Sequence, residues 1–123
     1  MIEMLDGMPA GVLGFRATGK LSAEDYTDAM MPALREAAES GEMRIVYVLG
    51  EDFHGLEAGA MVEDVKAGFE LGVGHHASFK RLAMVSDLEW IQNSIRLLGW
   101  MSPGELKLFD LDQLPEAIAW AAG

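Results

Sequence analysis

His54 is the residue of this chain whose neighbours best suit acid–base chemistry. Glu51 and Asp52 precede it, and a carboxylate beside an imidazole can orient the ring as a general base or a metal ligand. The pattern places His54 near the N-terminus of a predicted helix, at the edge of the sheet where open α/β folds bind ligands. A solvated loop histidine packed on Phe53 explains the same residues, and we favour that interpretation.

The remaining motifs that could support chemistry are weak. His75 and His76 are adjacent, so a regular element cannot turn both toward one metal ion, and the H-x-x-x-H spacing of zinc sites is absent. Gly68, Gly72 and Gly74 close a predicted helix, whereas a phosphate-binding loop follows a strand and opens one. There is no cysteine. The sequence therefore predicts no catalytic residue, no metal site and no cofactor.

Composition limits the partners of the chain. It has 123 residues, with 9 Lys plus Arg against 20 Asp plus Glu and a net charge of −11. That charge repels nucleic acid and anionic lipid head groups, so a cation or a protein with basic surface suits it better. No apolar stretch approaches the ~20 residues that span a bilayer. We expect one domain over residues 1–123, no transmembrane segment and a cytoplasmic location.

Alternation and turn residues predict a hairpin followed by a helix at the start of the chain. Residues 2–5 and 11–17 are the expected strands. Ser22 stands at an N-cap position with Asp25 three residues later, which is the spacing of a capping box. Pro32 lies inside the helix that follows and predicts a kink.

The rest of the chain alternates between strand and helix patterns. The apolar run 43–49 predicts a central strand covered on both faces, and residues 50–55 break that pattern. The order is then β-β-α-β-α-β-α-β-α, which predicts an α/β fold with a mixed, mostly parallel sheet and packed helices. The later elements are a second helix over 56–72, a strand over 81–86, a third helix over 87–100, a strand over 105–109 and a last helix over 112–121.

Two segments and one loop resemble a known family. They are residues 79–87 with Trp90, residues 109–114 with Ala117 and Trp120, and the shorter segment 52–55. With the order of elements, they resemble the SpoIIAA-like family of small bacterial proteins over essentially the whole chain. The resemblance implies a fold related to STAS domains and to the CRAL-TRIO lipid-binding fold, and none of these segments is a catalytic signature.

The resemblance also implies how this chain departs from its regulatory relatives. STAS-type anti-sigma-factor antagonists are switched off by phosphorylation of a serine at the start of the helix that follows the central strand. The corresponding segment here is 52–56, where Phe53 and His54 stand in place of hydroxyl residues. We therefore expect a protein without the phosphorylatable serine switch.

The predicted third helix has more apolar surface than a core requires. A surface helix needs one apolar stripe of roughly 100° or somewhat more. One stripe suits the sheet: Leu88, Ile91, Ile95 and Leu98. A second lies beside it: Trp90, Leu97 and Met101, with Trp100 further round. The polar arc holds Glu89, Gln92, Asn93 and Arg96. Either the second helix or the loop 101–104 covers the second stripe, or the stripe serves as a subunit interface, a pocket wall or a membrane contact.

These observations favour a non-catalytic binding or regulatory module that acts through the apolar surface of the third helix. Its partner would be another protein or a second copy in a homodimer. The alternative is a carrier or sensor of an apolar, lipid-like small molecule held between the second and third helices, with peripheral membrane contact. Nine methionines suit either a pliable groove or a filled core. The predicted surface residues are Trp90, Leu97, Trp100, Met101, Phe53, His54 and Met61.

Overall fold

A computed structural model of the protein describes residues 1–40, 42–57, 59, 79–98 and 105–123. The strands are β1 (Ile2–Met4), β2 (Val12–Leu21), β3 (Met43–Leu56), β4 (Phe79–Val85) and β5 (Glu105–Phe109). The helices are α1 (Ala23–Asp25), α2 (Met31–Ser40), α3 (Glu89–Leu98) and α4 (Leu114–Ala122). A π-helical turn, Tyr26–Met30, joins α1 to α2, and a 3-10 turn, Leu111–Gln113, precedes α4. The predicted second helix over 56–72 falls almost entirely outside the described residues.

The described strands form one mixed sheet in the order β1-β2-β3-β4-β5. β1 runs antiparallel to β2, which confirms the predicted hairpin, and β2, β3, β4 and β5 run parallel. The predicted α/β class with a mostly parallel sheet is confirmed. β3 is the middle strand, as its nearly continuous apolar sequence predicts for a strand covered on both faces.

Alternation along β3 divides the core between two faces of the sheet. Ile45, Leu49 and Phe53 contribute to a cluster on the face that α2 and α3 cover. Val46 and Val48 contribute to a second cluster on the face that α4 covers. Right-handed crossovers between neighbouring parallel strands place their connecting helices on one face, which explains why α2 and α3 lie together.

β3 is longer than the sequence indicates. Residues 50–55 were predicted to interrupt it, yet the strand continues through His54 to Leu56 beside an extended β2. The pairing shifts on the way: Ala17 pairs with Leu49, Gly19 with Phe53 and Lys20 with Gly55. Gly19 and Gly55 have positive φ angles of 65° and 104°, which an L side chain rarely adopts. The two glycines thus allow irregular pairing where the sequence pattern alone indicates a loop.

Ser22 caps the first helical segment as predicted. Its Oγ accepts the N–H of Asp25, and its own N–H donates to Asp25 Oδ2 at 2.8 Å. This backbone hydrogen bond, helped by the ammonium group of Met1 at 3.6 Å, holds the pKa of Asp25 below its ordinary value although partial burial opposes the shift. The capping box therefore stabilises the ionised carboxylate.

Pro32 is accommodated by the π-helical turn that precedes it. In a regular α-helix the proline ring would clash with the carbonyl group of Asp28, four residues earlier. The N–H of Met31 instead bonds to the carbonyl of Tyr26, five residues back, which widens the helix before the proline. Met30 at the end of this turn and Met31 at the start of α2 are both buried, so they fill the core rather than line a groove. Among the described residues, no helix is long and apolar enough to cross a membrane.

Candidate interaction surface

The end of β3 and the first turn of α3 meet in an aromatic pair. The ring centroids of Phe53 and Trp90 are 5.7 Å apart, and the ring planes are inclined by 16°, which is a stacked geometry. Phe53 is buried, whereas 49% of Trp90 is exposed. One face of the indole therefore packs on the protein while much of the ring remains exposed to solvent.

The described members of the two predicted apolar stripes of α3 differ in burial. Ile91 is buried, and Leu88 and Ile95 pack against the cluster on the same face of the sheet. Trp90 and Leu97, from the second stripe, are exposed, and Leu97 is 71% exposed. These are the two large apolar side chains that the described part of α3 presents to solvent.

A hydrogen-bond network fixes the start of α3 against the carboxyl ends of β4 and β5. Ser86 is fully buried, and its Oγ accepts the N–H of Leu88 at 3.1 Å. Gln92 Nε2 donates to the Ser86 carbonyl at 3.0 Å and to Asp110 Oδ1 at 3.3 Å. The sequence placed Gln92 among solvated polar residues, because nothing in the helical pattern marks it as a bridge between two strand ends.

Asp87 stabilises the turn before α4 and not the helix that follows it directly in the chain. Ser86 and Asp87 both stand at the junction between β4 and α3, and there the hydroxyl of Ser86 accepts the N–H of Leu88, the residue just before α3. Asp87 Oδ1 accepts the N–H of Leu111 at 2.8 Å, at the start of the 3-10 turn. Because Asp87 is distant in sequence from Leu111, only the parallel pairing of β4 and β5 brings the two together.

His54 lies in β3 and not in the predicted loop before a helix. Its side chain is exposed, while that of its neighbour Phe53 is buried. Within the part of the chain that the structure describes, no hydrogen bond or ion pair joins His54 to Glu51 or Asp52, so the proposed orienting carboxylates do not engage it. Three further predicted surface residues lie outside the described residues: Met61, Trp100 and Met101.

A cleft of about 330 Å³ lies at the opposite end of the sheet from the aromatic pair. It sits between the first residues of β2 and the helix α2, where Val12, Leu13 and Ala33 form part of its wall. Glu36 and Glu42 add carboxylates to its lining. This position differs from the predicted pocket between the second and third helices, so the cleft does not test that prediction.

The face of the sheet under α4 is closed by contrast. Trp120 is half-buried beside Phe109, with ring centroids 5.9 Å apart. Arg81 lies over the Trp120 ring, with Cζ 5.0 Å from its centroid, and Nη1 donates to the Trp120 carbonyl at 2.6 Å. Arg44 donates to the Ala121 carbonyl at 2.8 Å. Both guanidinium groups satisfy carbonyls of the last turn, where a positive charge complements the helix dipole.

The described strands and helices define an α/β protein with a five-stranded, mostly parallel sheet of the kind found in SpoIIAA-like and STAS folds. A family model described as SpoIIAA-like matches residues 12–122, and the chain belongs to that family.

A solved structure resembles the protein along its length. It is an uncharacterised protein of the DUF3478 family, with a SpoIIAA-like fold, from Shewanella loihica PV-4, whose crystal structure was determined at 2.25 Å resolution. The two sequences are 30% identical, the alignment covers 98% of this chain and 93% of that one, and the TM-score is 0.74. No curated protein matches the chain.

Proposed function

We propose that this protein is a non-catalytic binding or regulatory module of the SpoIIAA-like family that acts through the exposed side of α3. The observation that carries the proposal is the pair of exposed apolar side chains, Trp90 and Leu97, on a helix whose opposite side is already packed on the sheet. Burial of a large apolar side chain contributes about 1.5–3 kcal/mol, so two on one face provide a real driving force for association.

Rigidity of the surface supports the same interpretation. Trp90 is held by its stack on Phe53, and the helix beneath it is tied to the strand ends through Ser86 and Gln92. A preorganised aromatic side chain loses little conformational entropy on binding, and tryptophan is enriched among the residues that dominate interface energies. The surface suits recognition of a partner better than chemistry, because its two large exposed side chains are apolar.

Because Phe53 and His54 carry no hydroxyl group, the proposal does not include regulation by phosphorylation at these positions. A phosphorylated serine adds about −1.5 to −2 charges and can abolish docking. This chain has no serine or threonine between Leu49 and Gly55, so binding through α3 would be controlled by partner concentration and not by phosphorylation at that segment. The alternative of an apolar-ligand carrier between the second and third helices remains a prediction.

Site-specific photo-crosslinking in living cells tests the proposed function. A photoreactive amino acid replaces Leu97 in the full chain, and a control chain carries it at Glu116, which is exposed on α4. We expect a discrete adduct from position 97, reduced by an additional Trp90→Ala substitution, and no such adduct from position 116. Equal labelling from both positions, or none from position 97, would contradict the proposal.

A further inference from the structure

The outer face of α3, formed by Trp90, Asn93, Ser94 and Leu97, has a charge pattern on its flank that is complementary to itself. Trp90 and Leu97 are seven residues apart, which is nearly two helical turns, so they share one line along the helix. Glu89 and Arg96 are also seven residues apart and lie on one flank of that line. Asn93 and Ser94 stand between the ends, and both are small and uncharged.

From this pattern we infer that the partner of the outer face of α3 is a second copy of the chain, with the two α3 helices packed antiparallel across a two-fold axis. The inference rests on the proposed function, because it specifies which partner the same surface binds. A two-fold interface brings each patch against its own copy, so every contact occurs twice.

The antiparallel arrangement brings each apolar side chain against an apolar side chain of the partner and each charge against an opposite charge. With the two-fold axis near Asn93, Trp90 of one copy lies beside Leu97 of the other copy. The symmetry repeats this contact on the other side of the axis. A two-fold axis between antiparallel helices also brings each flank against the same flank of its partner. Glu89 therefore meets Arg96 of the second copy, in the way that flanking charges pair in coiled coils.

The two charged groups are available for this pairing. Glu89 and Arg96 are both exposed, and neither makes an ion pair or hydrogen bond within residues 1–40, 42–57, 59, 79–98 and 105–123. Parallel packing of two α3 helices would instead bring the flank with Glu89 and Arg96 against the opposite flank of the partner helix, where α3 carries no charged residue, so neither charge would meet an opposite one. The charge pattern thus selects the antiparallel arrangement, and the net charge of −11 makes local complementarity necessary for two copies to associate.

Charge reversal provides a sharp test with the purified full chain. The variants are Glu89→Arg, Arg96→Glu and the double variant that carries both changes. Sedimentation velocity and native mass spectrometry measure the oligomeric state over a range of concentrations. We expect wild-type dimers, and we expect each single variant to dissociate about tenfold more readily, because two attractive pairs become two repulsive ones.

Mixing the two single variants restores the pairing, as does the double variant. In a mixed dimer each introduced arginine at position 89 meets an introduced glutamate at position 96, and the native Glu89 meets the native Arg96. We therefore expect heterodimers of near wild-type affinity. Leu97→Asp is the apolar control: it should abolish the dimer while circular dichroism and the unfolding midpoint remain unchanged, because Leu97 is 71% exposed.

Three outcomes would overturn the inference. A wild-type chain that stays monomeric at about 1 mM, which corresponds to a binding free energy weaker than about −4 kcal/mol, has no useful self-affinity. A dimer that neither charge reversal nor mixing affects uses another surface. Binding of the monomer to neutral lipid vesicles, lost in Leu97→Asp, would assign this face to membranes. If the wild-type chain stays monomeric but position 97 crosslinks to a different protein in cells, the dimer inference fails and the proposed function still stands. The two failures are therefore distinguishable.

Discussion

Trp120 and Trp90 occupy comparable positions on opposite faces of the same sheet, yet their surroundings differ. Each lies beside a phenylalanine at the end of a strand, Phe109 on β5 and Phe53 on β3. Trp120 is partly buried and less exposed than Trp90, and Arg81 covers its ring. Trp90 is 49% exposed and has no cation over it in the described part of the chain.

Among the described residues, the tryptophan on the α4 face is therefore covered by an arginine, whereas the tryptophan on the α3 face is exposed, as the proposed binding role requires. On the α4 face, Arg44 and Arg81 satisfy the last carbonyls of the helix and shield its aromatic side chain. On the α3 face, the arginine of the helix, Arg96, points to solvent instead. The comparison predicts that substitutions on α4 act on stability and that substitutions on α3 act on association.

The largest expected effect is on the closed face. Trp120→Ala should lower the free energy of unfolding by about 3 kcal/mol, the low end of the range for buried aromatic residues, because Trp120 is only half-buried. The matched change Trp90→Ala should cost about 1 kcal/mol, the value of a stacked aromatic pair. Urea denaturation at a concentration where both proteins are monomeric measures the difference. Equal losses of unfolding free energy in the two variants would show that the two faces hold their tryptophan side chains equally well.

Arginine truncation sharpens the comparison further. Arg81→Ala removes a charged hydrogen bond to the Trp120 carbonyl and an ion pair to Glu105, whose Oε2 is 2.9 Å from Arg81 Nε. We expect a loss of about 2 kcal/mol, since hydrogen bonds to charged groups contribute about 1.5–3 kcal/mol. Arg96→Ala on α3 is the matched control and should change stability by less than about 0.5 kcal/mol. A destabilised Arg96→Ala variant would show that the α3 face is also closed.

The capping box at the start of α1 lies on the same face of the sheet as α3 but does not involve the exposed side chains of α3. Its effect on stability therefore serves as a reference. Ser22→Ala should cost about 1 kcal/mol, the usual value of an N-cap. The lowered pKa of Asp25 adds a pH dependence: its contribution is present above the ordinary value of 3.8 and disappears as the pH falls through the lower folded-state value.

Thermal melts of wild type and Asp25→Asn at several pH values measure this contribution. The wild-type protein should be the more stable at pH 6, and the two curves should converge in acid. A difference that grows as the pH falls would have the wrong sign for a carboxylate whose pKa is lowered in the folded state.

The smallest expected effect on stability is at the exposed surface. Leu97→Asp should change the free energy of unfolding of the monomer by less than about 0.5 kcal/mol, because the side chain is largely exposed. The same substitution should remove association. Differential scanning calorimetry of dilute protein checks the first statement, and a clear drop in the melting temperature would indicate that Leu97 packs within the chain.

Much of the fold could be predicted because the local patterns are strong. The hairpin, the Ser22 cap, the central strand and the last strand at 105–109 follow from alternation, capping chemistry and β-branched runs. The inner stripe of α3 was predictable for the same reason, since its apolar residues recur at helical spacing and meet the sheet. These features depend on residues close together in sequence.

The errors arise where distant strands decide the local conformation. Residues 50–55 contain two glycines and two acidic residues, a composition typical of loops, but pairing with an extended β2 keeps them in β3. His54 is one of these residues, so it lies in β3 and not in the predicted loop before a helix. The hydrogen bonds that join Asp87 to Leu111 and Gln92 to Asp110 could not be predicted for the same reason. These residues become neighbours only when β4 and β5 pair.

The sequence alone determined the α/β class, the acidic surface, the lack of a serine at the segment 52–55 and the excess apolar surface of the third helix. Periodicity and composition are sufficient for these properties, because they depend on which residues occur and how they are spaced. The tertiary structure decided which aromatic side chains are covered. Trp120 lies under Arg81 because β4 passes beneath the end of α4, whereas Trp90 stacks on Phe53 and stays 49% exposed. Burial depends on what the fold brings from elsewhere in the chain, and no local pattern contains that information.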